Sequence, residues 1–292
     1  MKKVAIMTDS IAAIPLEMAK KYGIRVVPLH AIMDGKDYPD TEITKADMER
    51  LYARLEEKGD LPTTSAPSAG DFLEAYQELS QRVEAILFIS LTSVFSATYG
   101  AAIQAKEIVR EKLPQITIEV IDSRTTSSGV LLIVLEAARA AAQGKDLKEI
   151  IEITDEMIPQ INLLSTRDTL FYLDKGGLIF EAKSWAEVEP KSSFRAIVQI
   201  DASTGGKTKP VARAKTKKQI MEKMLDIAKG KVGGKKLHAA IVHTNVPDQA
   251  EQLKQMMLSQ FQCGEFYVAE ALGATAVKNG RGLIDFAFYS SD

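Results

Sequence analysis

Histidine, cysteine and tryptophan are scarce in this chain. Among 292 residues there are three histidines, one cysteine and one tryptophan. The single cysteine, Cys263, excludes an internal disulfide and a multi-cysteine metal site, and it fits a reducing compartment; it reads as a bystander in a loop. His30, His238 and His243 form no H-x-x-x-H spacing, so no zinc pattern is offered. His238 and His243 bracket an apolar run and read as structural. No G-x-G-x-x-G follows a strand, no G-x-x-x-x-G-K-[ST] occurs, and no G-x-S-x-G elbow appears. Nucleotide binding and serine-hydrolase chemistry therefore have no motif support.

Long apolar runs are missing too. The longest candidate, 130–142, is short of a membrane span and contains Glu136 and Arg139. The apolar stretch after Lys2-Lys3 ends at Thr8-Asp9-Ser10, too soon for the core of a signal peptide, which predicts a cytoplasmic protein. Net charge is −2, from 37 basic and 39 acidic residues, so no global basic field would hold a nucleic acid. The composition, 46% hydrophobic and 26% charged, is that of a globular protein able to bury a core without staples.

The first half alternates short apolar runs with helical patterns. Val4–Met7, Ala85–Ser90 and Ile116–Ile121 read as strands, and Ile24–Met33 as an extended segment. Helices are predicted over Ile11–Tyr22, Lys45–Lys58, a segment after Ser68, Ala97–Lys112, Ser127–Gln143 and Asp146–Gln160. Thr44 with Asp47 resembles a capping box. This alternation predicts right-handed βαβ units and a mainly parallel, doubly wound sheet. The second half differs. Ile161–Ser165, Arg195–Asp201, Pro210–Ala214, Leu237–His243, Phe266–Glu270 and Leu283–Tyr289 read as strands, with a hairpin turn at Ser203-Thr204-Gly205-Gly206. Asp168–Leu173, Thr216–Lys229 and Pro247–Phe261 read as helices. The expectation is an α/β protein of two domains, 1–159 and 160–292, the second with an antiparallel part.

Hydroxyl groups are concentrated in four tracts of the first half. They are Thr8-Asp9-Ser10; Thr63-Thr64-Ser65 with Ser68; Ser90 to Thr98; and Asp122-Ser123 with Thr125 to Ser128. Each precedes a predicted helix, and most follow a strand. Serine, threonine and aspartate are the usual helix N-caps, so one tract alone means little. Four tracts on one sheet edge supply more hydroxyls than capping needs. At the carboxyl ends of parallel strands they would line an uncharged, donor-rich site for a carboxylate or phosphate. Asp9 and Asp122 are acid–base candidates if the site is an enzyme's, although strand-end aspartates are commonly turn formers. Between Lys207 and Lys236 eleven lysines and arginines stand against Glu222 and Asp226. Such a run reads as a solvated face, or as a docking face for an acidic partner or an anionic membrane surface.

Taken in order, these tracts resemble the DegV family of bacterial fatty-acid-binding proteins. The family's T-D-S turn is Thr8-Asp9-Ser10, and its P-T-T-S-Q-P-S segment is Pro62 to Ser68. I-S-L-S-S-G-L-S-G-T-Y corresponds to Ile89 to Tyr99, and I-D-S to Ile121-Asp122-Ser123. L-x-Y-L-x-K-G-G-R-I corresponds to Leu170 to Ile179, and H-T-x-x-P to His243 to Pro247. The resemblance implies one long-chain fatty acid held between two domains, its tail in an apolar tunnel and its carboxylate on hydroxyls. Carried over, Thr64 and Ser96 are the first-domain ligands, with Ser65 in support. It further implies a protein with no turnover of its own, no cofactor and no metal. Some family members present the acid to a separate ATP-dependent fatty-acid kinase, a further partner that the resemblance brings. Neither nucleic-acid binding nor stable membrane insertion is expected. The departures are local. Gly-Leu-Ser-Gly becomes Val94-Phe95-Ser96-Ala97, which places bulky Phe95 beside the tunnel. The family's Gln is Ala66, and its Arg after the paired glycines is Leu178. G-T-H-x-G-P-G becomes Ala276 to Gly282, so the histidine falls on Lys278 and the proline on Arg281. Lys278 is the expected second-domain cation, in a loop facing the hydroxyls; the alternative leaves Lys278 or Arg281 in solvent.

Overall fold

The computed structural model describes residues 3–57, 60–192 and 194–292. Four parallel strands form one sheet in the order Arg25–Val27, Val4–Asp9, Ala85–Ser90, Thr117–Asp122. The two central strands are buried along their whole length, as the unbroken runs VAIM and AILFIS require. The second half builds a six-stranded sheet in the order Lys209–Ala214, Arg195–Gln199, Asn162–Thr166, Ile284–Ser291, Lys236–His243, Cys263–Glu270. All its pairs are antiparallel except the last. The α/β class, with a parallel sheet followed by a largely antiparallel one, agrees with the sequence reading.

Between the sheets runs the helix Ser127–Ala142. It touches Val4–Asp9 on one side and Ile284–Ser291 and Lys236–His243 on the other. A helix apolar on nearly every face suits that position, and SSGVLLIVLEAARAAA is buried on almost all of it. Its few polar groups are placed. Arg139 binds Glu136 at 2.6 Å and the Tyr267 hydroxyl at 2.8 Å, and it also pairs with Glu265. The largest apolar core accordingly draws residues from both halves, from Val4 to Ala287.

Several local expectations change. The helix over Ile11–Tyr22 is a short 3-10 turn, Ser10–Ala12, then Leu16–Tyr22. Ala13 adopts a left-handed φ of 48°, and Pro15 cannot continue a helix. The helix after Thr44 spans Lys45–Glu56 with the capping box to Asp47 in place; its expected end at Lys58 lies outside the described residues. The helix after Leu170 is Phe171–Lys175, shifted toward the glycines, and a helix at Lys183–Ser192 was not expected. A third sheet joins Lys36–Pro39, His30–Met33 and Thr63–Ser65, all antiparallel. The second hydroxyl tract is therefore partly a strand, with Ala31 opposite Thr64 and His30 opposite Ser65. Cys263 begins a strand rather than lying in a loop, and Lys278 lies in a helix, Gly273–Asn279. Among the described residues no helix is long and apolar enough to cross a membrane.

Candidate functional site

The parallel strands end toward the second half, and a cavity lies there. It encloses about 630 Å³, the space at its mouth included. Ile11, Leu91 and Thr126, each shortly after a parallel strand, form one side, and Arg167, Ile200 and Asp285 of the second half form the other. This is the strand edge at which open α/β sheets bind ligands.

All five residues that the resemblance puts beside a fatty acid line this cavity: Thr64, Ser65, Phe95, Ser96 and Lys278. Thr64 and Ser65 come from the small sheet, whose register to His30–Ile32 fixes them. Ser96 lies in the turn before the helix Thr98–Lys112. Its hydroxyl is 2.8 Å from that of Thr98 and accepts the Thr98 N–H at 3.3 Å. Phe95 is half-buried and stacks on Phe180, with centroids 5.9 Å apart and planes within 6°. Leu29, Leu173 and Leu178 add apolar wall.

Lys278 owes its position to a short helix held at both ends by distant groups. At the start, the buried Asp40 accepts the Ala274 N–H at 2.9 Å and the Ser10 hydroxyl at 2.7 Å. Gly273 there lies so close to the small sheet that a β-carbon would sit 2.7 Å from Ile43 Cδ1 and 3.0 Å from Ala31 Cβ. At the end, Arg167 donates to Asn279 Oδ1 at 2.6 Å. The Lys278 ammonium has no hydrogen-bond or ion-pair partner among the described residues, and burial lowers its pKa. A half-buried ammonium without a carboxylate favours an anion from outside. Arg281 goes elsewhere. It pairs with Glu56 at 2.7 Å and lies over the Tyr52 ring at 4.6 Å.

Two residues that sequence reasoning missed complete the lining. Arg167 and Asp285 are each 3% exposed. Arg167 donates to Asn279 and to the Ser165 hydroxyl, but its Nε has no partner. Asp285 Oδ1 makes no full hydrogen bond, although the Ser165 and Ser127 hydroxyls lie close enough to favour the ionised carboxylate. Burial pulls the Arg167 pKa down and pushes the Asp285 pKa up, and each partly offsets the other's shift. A signal was present: an aspartate within the apolar run LIDFAFY demands a buried partner.

Several of the remaining hydroxyls serve the fold. Thr8 donates to the Ile89 carbonyl at 2.8 Å, and Ser68 caps its helix in a box with Asp71. Thr125 donates to the Ile200 carbonyl at 2.8 Å and Ser128 to the Asp285 carbonyl at 3.0 Å, which tie the halves together. Neither acid–base candidate lines the cavity. Asp9 is fully buried and accepts the Ile11 and Leu91 N–H groups at 3.1 and 2.8 Å. Asp122 accepts from the Ser93 hydroxyl at 2.5 Å and the Arg124 N–H at 2.9 Å. Both are turn braces. His30 meets Asp37 at 2.9 Å, and His238 meets the Ser291 hydroxyl at 3.1 Å while stacking on Tyr289. Burial lowers the pKa of His238 and His243 and raises that of Cys263. Among the described residues no group of three His, Cys, Asp or Glu side chains is placed to hold a metal ion. Part of the basic run is engaged locally: Arg213 lies over Phe194 at 5.4 Å, and Lys217 pairs with Asp168 at 3.3 Å.

Comparison with known proteins places this geometry in context. The family model for DegV proteins matches residues 3–291. A DegV domain-containing protein of Caldanaerobacter subterraneus subsp. tengcongensis is 32% identical over 273 residues, 93% of each chain. A solved fatty-acid-binding DegV family protein from Thermus thermophilus superposes with a TM-score of 0.90 at 25% identity, covering 99% of this chain and 100% of that one. A DegV family protein from Eubacterium eligens, loaded with heptadecanoic acid, shares the fold at a TM-score of 0.85 and 22% identity, over 99% of this chain and 100% of its own.

Proposed function

The chain belongs to the DegV family, and from that premise we propose that it binds one long-chain fatty acid in the cavity between its two halves. The observation that carries this reading is the composition of the cavity wall. It offers the Thr64 and Ser96 hydroxyls and an unpaired ammonium, Lys278, together with the buried Arg167 and Asp285, and a wall of aliphatic side chains with Phe95. The Thermus thermophilus protein, alike across nearly the whole chain, is a fatty-acid binder.

In this reading Lys278 supplies the charge, Thr64 and Ser96 supply directed hydrogen bonds, and Ser65 supports them. The tail supplies most of the affinity, at about 0.8 kcal/mol for each methylene removed from water. Phe95, propped by Phe180, shapes the tail's path. Segments 1–159 and 160–292 act as two domains that close on the ligand from opposite sides. The protein is a carrier without turnover of its own, consistent with the role of both carboxylates, Asp9 and Asp122, as braces away from the cavity. Such a carrier would pass its acid to a separate fatty-acid kinase. Lipid extraction of the purified protein followed by mass spectrometry tests the reading: a stoichiometric long-chain acid supports it, and a small polar ligand in its place favours an enzyme.

A further inference from the structure

None of the residues of the H-T-x-x-P segment, His243 to Pro247, lines the cavity, yet its threonine is fully buried. The polar groups of Thr244 all bind one loop. The hydroxyl donates to the Gly280 carbonyl at 2.7 Å and accepts the Leu283 N–H at 3.0 Å. The Thr244 N–H donates to the Leu283 carbonyl at 3.2 Å, and the Thr244 carbonyl accepts the Gly282 N–H at 3.0 Å. That loop leaves the helix Gly273–Asn279, whose last turn carries Lys278. Seven residues are too few to hold a helix by themselves, so its ends need anchors. Asp40 anchors the start through the Ala274 N–H. At the finish the chain turns sharply at Gly280, with a φ of 67°, and the carbonyl of that glycine meets the Thr244 hydroxyl. Asn245, with a φ of 53°, then turns the chain toward the helix Pro247–Leu258 and leaves the threonine at the strand end.

We propose that Thr244 is a positioning residue for the ligand's carboxylate: by holding the Gly280 carbonyl it fixes the last turn of the short helix, and with it the Lys278 ammonium in the cavity. The inference rests on the fatty-acid reading and adds to it a residue outside the cavity. Arg167 grips Asn279 in the same turn, but it also lines the cavity, so Thr244 is the residue that separates positioning from contact. Thr244→Val keeps the shape and removes the hydroxyl, which leaves the Gly280 carbonyl and the Leu283 N–H without that partner. The turn then frays and the ammonium loses its fixed place. The effect falls on charge recognition: an acid loses a charge-assisted contact, and an alcohol of equal length has none to lose.

The test compares palmitate with hexadecanol on the full chain stripped of lipid, by displacement of a fluorescent long-chain acid. The wild-type protein should prefer palmitate by about tenfold or more, the ratio expected of one hydrogen bond to a charged group. In Thr244→Val that preference should drop about tenfold, and in Thr244→Ser, which keeps the hydroxyl, it should stay at the wild-type value. A merely structural role would weaken both ligands alike, so an unchanged preference in Thr244→Val overturns the inference and leaves the fatty-acid reading intact. If that variant does not fold, Thr244→Ala takes its place under the same criterion. Equal binding of both ligands by the wild-type protein overturns the inference together with the role of Lys278, and binding of neither overturns the fatty-acid reading as well.

Discussion

The side chain of Lys278 passes directly over Gly176. A β-carbon built at 176 would lie 2.9 Å from Lys278 Cδ and 3.5 Å from its Nζ. Gly176 has an ordinary φ of −76°, which alanine adopts; the lysine must move, and the Tyr172 carbonyl oxygen, 3.2 Å from that β-carbon, must give slightly. The paired glycines after Lys175 thus do more than end a helix, since the first of them clears the path by which the ammonium reaches the cavity.

Gly176→Ala should therefore weaken fatty-acid binding by about tenfold while leaving the unfolding midpoint nearly unchanged, because a displaced lysine loses a charge-assisted contact to the carboxylate. Lys278→Met should weaken binding at least as much. In a double-mutant cycle, Gly176→Ala added to Lys278→Met should have almost no further effect. Additive losses would show that Gly176 acts through something other than the lysine.

Thr64→Val and Ser96→Ala each delete one donor to the carboxylate. A hydrogen bond to a charged group is worth roughly 1.5–3 kcal/mol, so each variant should lose about ten- to hundredfold in affinity. Thr64 should be the cleaner of the two. Ser96 also caps Thr98 at a helix start, so its variant should lose some stability as well. Calorimetry with palmitate, paired with urea unfolding, separates the effects; wild-type affinity in both variants would remove the hydroxyls from the site.

Phe95→Ala should change which acids bind. The ring is half-buried and its stacking partner, Phe180, comes from the other half of the chain. Removing it opens the cavity, and the variant should favour longer or kinked chains over palmitate. A variant that loses the 3–5 kcal/mol typical of a deleted core phenylalanine and keeps its chain preference would make Phe95 plain core.

The parallel sheet was legible because its strands, such as Ala85–Ser90, are apolar without interruption and are followed by clear helical periodicity. The capping box at Thr44 was legible for the same local reason. What could not be read depends on contacts across long stretches of chain. Thr63–Ser65 has the composition of a turn and becomes a strand only by pairing with His30–Ile32. The seven-residue helix of Lys278 is too short to announce itself, and its start is held by Asp40, which is 234 positions away. Arg167 and Asp285 escaped because each is unremarkable alone and informative only once both face one cavity.

Stability should fall as pH rises from acidic to neutral in a way set by two buried carboxyls. Burial pushes Asp9 from 3.8 up to about 7 and Asp40 from 3.8 up to about 6, against the lowering effect of the N–H and hydroxyl groups they accept. Between the unfolded and folded values the native chain holds protons that the unfolded chain has released. Their contribution is complete below pH 3.8 and is lost as pH rises through about 6 to 7. Asp9→Asn should flatten that decline. Urea midpoints for both proteins at mildly acidic and mildly alkaline pH check it, and an identical pH slope in the two would rule Asp9 out as the source.

Native mass spectrometry of the freshly purified protein addresses the central claim most directly. The account predicts a one-to-one complex whose added mass is that of a single long-chain fatty acid, lost on denaturation and restored by adding the acid back to stripped protein. A chain that carries no lipid after purification, and takes up none when palmitate is supplied, would contradict the account.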